Sequence, residues 1–134
     1  DCTVPGSLSL ELVGGDILVS HHDVIYNCCM DIGYALTIDG TRLILDESEN
    51  PPGGLCDCVC CYQLAARIAD VPPGTWTVVL RGVGFEHTDT IVVPAGGIDS
   101  PTLGDYGQSP CGEPGGTGIE TRDASWGALK AGYR

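Results

Sequence analysis

Six of the eight cysteines fall in two tight clusters, Cys28-Cys29 and Cys56-Asp57-Cys58-Val59-Cys60-Cys61, with Cys2 and Cys111 placed singly towards either end of the chain. Thiols at this density do one of two kinds of chemistry: they oxidise to a disulfide framework, or they ligate a soft metal as thiolates. An even cysteine count in a short chain without a CxxCH haem-attachment motif points to the framework and to an oxidising compartment. The metal alternative draws on His21 and His22, which with nearby thiolates offer a zinc or copper(I) set, although paired CxxC spacing is absent. His21-His22-Asp23 near Cys28 is also the only arrangement suggesting a Cys-His site, and oxidation of so dense a cluster argues for histidines on a strand surface instead. Asp46, Glu47 and Glu49 offer carboxylates to Ca²⁺, but the EF-hand order of acids and glycine is missing, which favours a solvated acidic loop. There is no GxSxG, HExxH, P-loop or complete GxGxxG, so the sequence offers no catalytic vehicle and no cofactor motif.

Bridge geometry narrows the framework. Adjacent cysteines rarely bond to each other, and on a strand they point to opposite faces, so Cys28 and Cys29 each need a separate partner. Cys56, Cys58 and Cys60, two apart on an extended segment, share a face. The economical arrangement sets two bridges between the clusters and leaves Cys2, Cys111 and two cluster cysteines to tie down the N-terminus and the tail. Spacing alone does not choose among the ~105 pairings of eight cysteines.

The elements that must hold these groups are strands. With 134 residues, 20 Gly and 9 Pro, the chain suits one core of strands and turns rather than a helical domain. Leu8, Leu10 and Leu12 alternate with polar residues, the period of a half-buried strand. Residues 16–21 and 23–29 read as one or two strands, and Tyr34–Ile38 and Arg42–Leu45 flank the Asp39-Gly40 hairpin turn. A long strand spans Cys58–Ile68, another Thr75–Arg81, and Thr88–Val93 closes the set. About seven short strands with turns between them predict a β-sandwich, because two sheets bury their apolar faces on each other. Trp76 is expected in its core, and Trp76, Tyr62 and Tyr106 are the rings a carbohydrate platform would need.

Two resemblances bear on this body. Pro73-Gly74-Thr75-Trp76-Thr77-Val78-Val79-Leu80 resembles the PGxYxVxV strand start of immunoglobulin-like and carboxypeptidase-regulatory-like sandwiches of secreted bacterial surface proteins. Asn27-Cys28-Cys29, then Glu47, then Cys56-Asp57-Cys58-Val59-Cys60 resembles the NCC…E…CxCxC pattern of small secreted or lipid-anchored bacterial proteins. It covers residues 21 to about 82 and implies location and fold rather than an activity. Cys61 and the long tail depart from it, so its bridge connectivity is not carried over whole.

Beyond Val93 the character changes: 14 of the 41 residues from 94 to 134 are Gly or Pro. This divides the chain into a sandwich, 1–93, and an arm, 94–134, for docking or assembly. From Ser125 as N-cap, Trp126, Leu129 and Tyr133 fall at helical spacing with Lys130 and Arg134 in the last turn, predicting a short terminal helix. The ending Ser125–Arg134 is also similar to the SWGxxKxxYR-like termini of some exported proteins of Gram-negative bacteria, which implies a sorting or attachment element.

Charge divides at nearly the same place. Residues 1–121 carry a net −14 and residues 122–134 a net +2 from Arg122, Lys130 and Arg134 against Asp123. Opposite signs favour contact between arm and body, in the same chain or in a neighbouring copy; in the latter case a head-to-tail interface propagates into a filament unless it closes a ring. An overall charge of −12 argues against nucleic acid and anionic membrane as partners. No stretch approaches the ~20 apolar residues of a membrane span, so direct membrane insertion is not expected. Asp1-Cys2-Thr3 lacks the basic and apolar regions of a signal peptide, which reads as a mature chain with Cys2 available for a disulfide. The expectation is a secreted, extracellular structural protein that polymerises with other copies of itself, its interface made by Arg122, Trp126, Leu129, Lys130, Tyr133 and Arg134. The alternative is a monomeric metal-binding or ligand-binding surface module.

Overall fold

The computed structural model describes residues 2–51, 53–96 and 100–112. Within them the chain forms eight strands: β1 (Ser7–Val13), β2 (Asp16–Asn27), β3 (Asp31–Asp39), β4 (Arg42–Asn50), β5 (Val59–Ala69), β6 (Gly74–Gly82), β7 (Phe85–Val93) and β8 (Thr102–Gln108). They form two four-stranded sheets in the orders β1-β2-β5-β8 and β3-β4-β6-β7. All the pairings are antiparallel except β4–β6, which is parallel. No helix occurs among the described residues, and none is therefore long and apolar enough to cross a membrane. The terminal helix expected from Ser125 lies outside the described residues, as do Arg122, Trp126, Leu129, Lys130, Tyr133 and Arg134.

The core follows from strand alternation. Ile17, Val19, Val24 and Tyr26 on β2 and Cys60, Tyr62, Leu64, Ala66 and Ile68 on β5 meet Leu43 and Leu45 on β4 and Trp76, Val78 and Leu80 on β6 in one buried cluster. Trp76 is buried as expected, and its indole N–H donates to the Pro72 carbonyl at 2.8 Å. Tyr62 is buried as well, which leaves only Tyr106 of the three candidate stacking rings largely exposed.

Three strand readings are refined. The two segments expected around residue 22 are one strand, β2, interrupted by a bulge: His21 pairs with Leu64 and Val24 with Tyr62, so His22 and Asp23 together oppose Gln63. Asp23 takes a left-handed backbone conformation there (φ 53°), and Gln63 braces it, accepting from the Asp23 N–H at 3.2 Å and donating to its carboxylate at 2.6 Å. The long strand starts at Val59, so Cys56 and Cys58 precede it. The third refinement concerns the boundary placed after residue 93, because β8 pairs with β5 from Ala69↔Thr102 to Leu64↔Gln108 and makes the first part of the arm a sheet edge.

Candidate functional site

All eight cysteines are bonded, as Cys2–Cys61, Cys28–Cys58, Cys29–Cys56 and Cys60–Cys111. The Cα separations are 5.9, 5.5, 5.7 and 5.0 Å, within the range a bridge requires. As expected, Cys28 and Cys29 each reach into the second cluster, while Cys2 and Cys111 take the other two partners. The placement follows strand alternation: Cys60 joins the core between the sheets and meets Cys111, and Cys61, also buried, lies on the opposite face of β5 and meets Cys2. Asn27 organises the paired bridges, its Oδ1 accepting from the N–H groups of Cys29 (3.0 Å) and Cys56 (3.1 Å) and its Nδ2 donating to the Cys56 carbonyl (2.7 Å). Thiolate ligation needs sulfurs that are not bonded to one another, and in this state none of the cysteines is free.

The histidines part company. They neighbour each other on a strand and so occupy opposite faces. His22 lies between the Ser9 hydroxyl, 2.6 Å from Nε2, and the Gln63 side-chain oxygen, 3.3 Å from Nδ1. His21 is 1% exposed, which corrects the expectation of a surface residue. Its Nδ1 stands 2.9 Å from both carboxylate oxygens of Glu47, and its Nε2–H donates to the Pro5 carbonyl at 2.7 Å. Among the described residues neither ring belongs to a group of three side chains able to share a metal ion.

Glu47 is the other member that sequence reasoning placed in a solvated loop; it is 4% exposed on β4. Its carboxylate accepts from the Tyr26 hydroxyl and, at 2.8 Å, from the Tyr34 hydroxyl, in addition to facing His21. Burying a carboxylate unpaired is costly, and here a ring nitrogen and two phenols replace water. Burial, followed by the charge of Glu47, pushes both tyrosine hydroxyls far above their ordinary value near 10. The alternation Ile17-Val19-His21 and Leu43-Leu45-Glu47 was the available signal, since it carries both residues to the interior.

A strap of the first residues seals this cluster. Thr3 N–H donates to the Asp23 carbonyl and the Thr3 carbonyl accepts from Ile25 N–H, each at 2.9 Å, while Cys2 anchors the strap to β5. Pro5 presents its carbonyl to both His21 and His87, whose Nε2 lies 2.5 Å away. Gly6 follows at φ +59°, and a Cβ there would lie 2.8 Å from His21 Nε2, so glycine lets the strap sit directly on the ring. A general base must present a nitrogen lone pair to its substrate, and Nε2 is instead protonated and spent on a main-chain carbonyl. The cluster therefore does structural work: it pins sheet to sheet and strap to both.

A concavity among the described residues lies beside β4, a depression of about 520 Å³ lined by Asp46, Ser48, Glu49, Arg81, Val83 and Glu86 among others. Within it Arg81 pairs with Asp46, with Nε 2.6 Å from its carboxylate. Comparisons with protein-family models, with curated proteins and with solved structures give no match, so the functional reading rests on the residues of this chain.

Proposed function

We propose that the chain is a structural subunit of an extracellular filament or cell-surface assembly, an immunoglobulin-like disulfide-braced body that polymerises head-to-tail through its C-terminal arm. The observation that carries this reading is how the reactive side chains are used. All eight cysteines stitch strands and termini together, and His21 is committed at both nitrogens inside the fold. Four bridges in one small body suit an oxidising exterior, where mechanical and proteolytic resistance matter. The body is strongly acidic and residues 122–134 carry the opposite sign, which supports association between them in neighbouring copies. Electron microscopy of the purified, non-reduced protein tests the proposal: regular fibres or sheets are expected, and a monomer by sedimentation at all accessible concentrations would overturn it.

One observation favours the metal-binding alternative. The sulfurs of Cys28, Cys29 and Cys56 lie within 4.8 Å of one another, so reduction of their two bridges would leave a compact thiol group. Alkylation of the denatured, non-reduced protein decides between them, with no modified cysteine expected for the braced subunit and several for a thiolate site.

A further inference from the structure

The parallel pairing of β4 with β6 stops at Asp46↔Arg81, whereas β4 remains paired with β3 as far as Asn50. Residues 47–50 therefore have no strand on the β6 side among the described residues. Gly82 is where β6 turns away: a Cβ there would come within 2.6 Å of the Phe85 ring and 2.9 Å of the Glu47 carbonyl, so the close turn into β7 needs glycine. Thr77 N–H donates to the Thr41 carbonyl, which sets the odd-numbered residues of β4 to present their backbone groups towards β6. By the same alternation the carbonyls of Glu47 and Glu49 face the unpaired flank, which is the depression beside β4.

The chemistry of this depression is one-sided. Its lining includes the acidic residues Asp46, Glu47, Glu49 and Glu86, and the one cation among its lining residues, Arg81, is already hydrogen-bonded to Asp46. Val83, one of its lining residues, stands 78% exposed. An occupant must therefore bring several hydrogen-bond donors, positive charge and an apolar ring. Residues 122–134 meet that description better than any other part of the chain: they hold three of the six Lys and Arg residues and one of the two Trp. At up to ~3.5 Å per residue, the 22 residues after Gly112 span tens of ångströms, enough to reach a neighbouring body.

We infer that the depression formed by β4 residues 46–49 and the β6–β7 turn is the acceptor site for residues 122–134 of a second copy of this chain. The inference rests on the assembly reading above and names its receiving surface. In that docking Lys130 is assigned as the partner of Glu86, Arg134 as the partner of Glu49 and Trp126 as the apolar partner of Val83.

The test uses the full chain with Tyr133 replaced by photo-reactive benzoylphenylalanine, in an equal mixture of ¹⁵N-labelled and unlabelled protein. Illumination followed by peptide mapping is expected to join position 133 to peptides containing residues 46–49 or 81–86 of the other isotopic form. Crosslinks between copies at a different surface would overturn this acceptor site while leaving polymerisation standing. Crosslinks to these residues within one copy would overturn docking between copies. Absence of any polymer from the unmodified chain would overturn the assembly reading itself, and the inference with it. A charge swap gives a second readout: Glu86→Lys should raise the concentration needed for assembly about tenfold, and adding Lys130→Glu should recover most of that loss, since an opposed pair is then restored. Failure of the pair to recover while Glu86→Lys alone remains folded would count against the site.

Discussion

His21 on β2 and Glu47 on β4 face each other across the interior, with the ring Nδ1 2.9 Å from each carboxylate oxygen. They belong to different sheets and stand 26 residues apart, so the contact fixes the relative setting of the two layers. Removing one member leaves the other buried without its partner, which costs about 3–5 kcal/mol. Glu47→Ala should lower the unfolding free energy measured by urea denaturation by that amount, and Tyr34→Phe by only about 1–1.5 kcal/mol, because one hydrogen bond is lost from a carboxylate that keeps two others. Equal losses in the two variants would show that the His21–Glu47 contact is not the centre of the network.

The phenols around Glu47 give a pH dependence with a definite sign. Tyr26, Tyr34 and Tyr62 are all raised, each chiefly by burial, and for the first two the Glu47 carboxylate adds to it. A group whose folded value is raised contributes stability that is complete below its unfolded value, near 10, and is lost as the pH climbs above it. Stability should therefore be insensitive to the ionisation of these residues at neutral pH and fall steeply above about pH 10. Absorbance at the tyrosinate band should show these three hydroxyls ionising only together with alkaline unfolding. Their titration in the folded protein at the ordinary value would contradict the burial argument.

The bridges differ in what they hold. Cys2–Cys61 closes the longest loop, a separation of 59 residues, and also pins the strap that covers His21. Chain entropy assigns such a loop about 4 kcal/mol and a 27-residue loop such as Cys29–Cys56 about 3.5 kcal/mol, so entropy alone barely separates them. The strap should separate them. Replacing Cys2 and Cys61 by Ser should accelerate hydrogen exchange at Ile25, whose N–H bonds to Thr3, whereas replacing Cys29 and Cys56 should leave Ile25 protected. Equal protection in both variants would show that the strap holds without its disulfide.

Local pattern made much of the fold legible and left its long-range parts obscure. The Asp39-Gly40 turn and the apolar run on either side located the β3–β4 hairpin, and vicinal Cys28 and Cys29 implied two separate partners in the second cluster. β8 was missed because Thr102–Gln108 has two glycines and no sustained alternation; its place comes from the free edge of β5 and from the Cys60–Cys111 bridge beside it. Glu47 was hidden for a different reason. Asp46, Ser48, Glu49 and Asn50 around it read as a polar loop, and only the partner ring from the other sheet makes burial of its carboxylate tolerable.

The position of β8 changes where the arm can be cut. Ending the chain near residue 95 would remove β8, expose the edge of β5 and leave Cys60, which is fully buried, without Cys111. That variant should lose stability by at least the 2–5 kcal/mol typical of a missing native bridge. Ending it after Gly112 keeps the strand, the bridge and the Cys61↔Gly112 pairing, and should preserve the unfolding midpoint while abolishing polymerisation. If the longer truncation product also assembles, the interface lies on the body and the arm is dispensable.

Within residues 122–134, apolar contact and charge should separate experimentally. Burying a large apolar side chain contributes roughly 1.5–3 kcal/mol, against about 0–1 kcal/mol for an exposed ion pair, so Trp126 should govern how firmly copies hold and Lys130 how fast they meet. Trp126→Ala should weaken assembly strongly and Lys130→Ala mildly, as measured by the concentration of protein left unassembled at equilibrium. Raising the salt should slow growth followed by light scattering while dissolving little finished polymer, because screening acts on charges approaching through water and not on contacts already closed to it. The reverse pattern, with salt dissolving preformed polymer and Trp126→Ala without effect, would mean that charge alone holds the copies together and that the indole lies outside the interface.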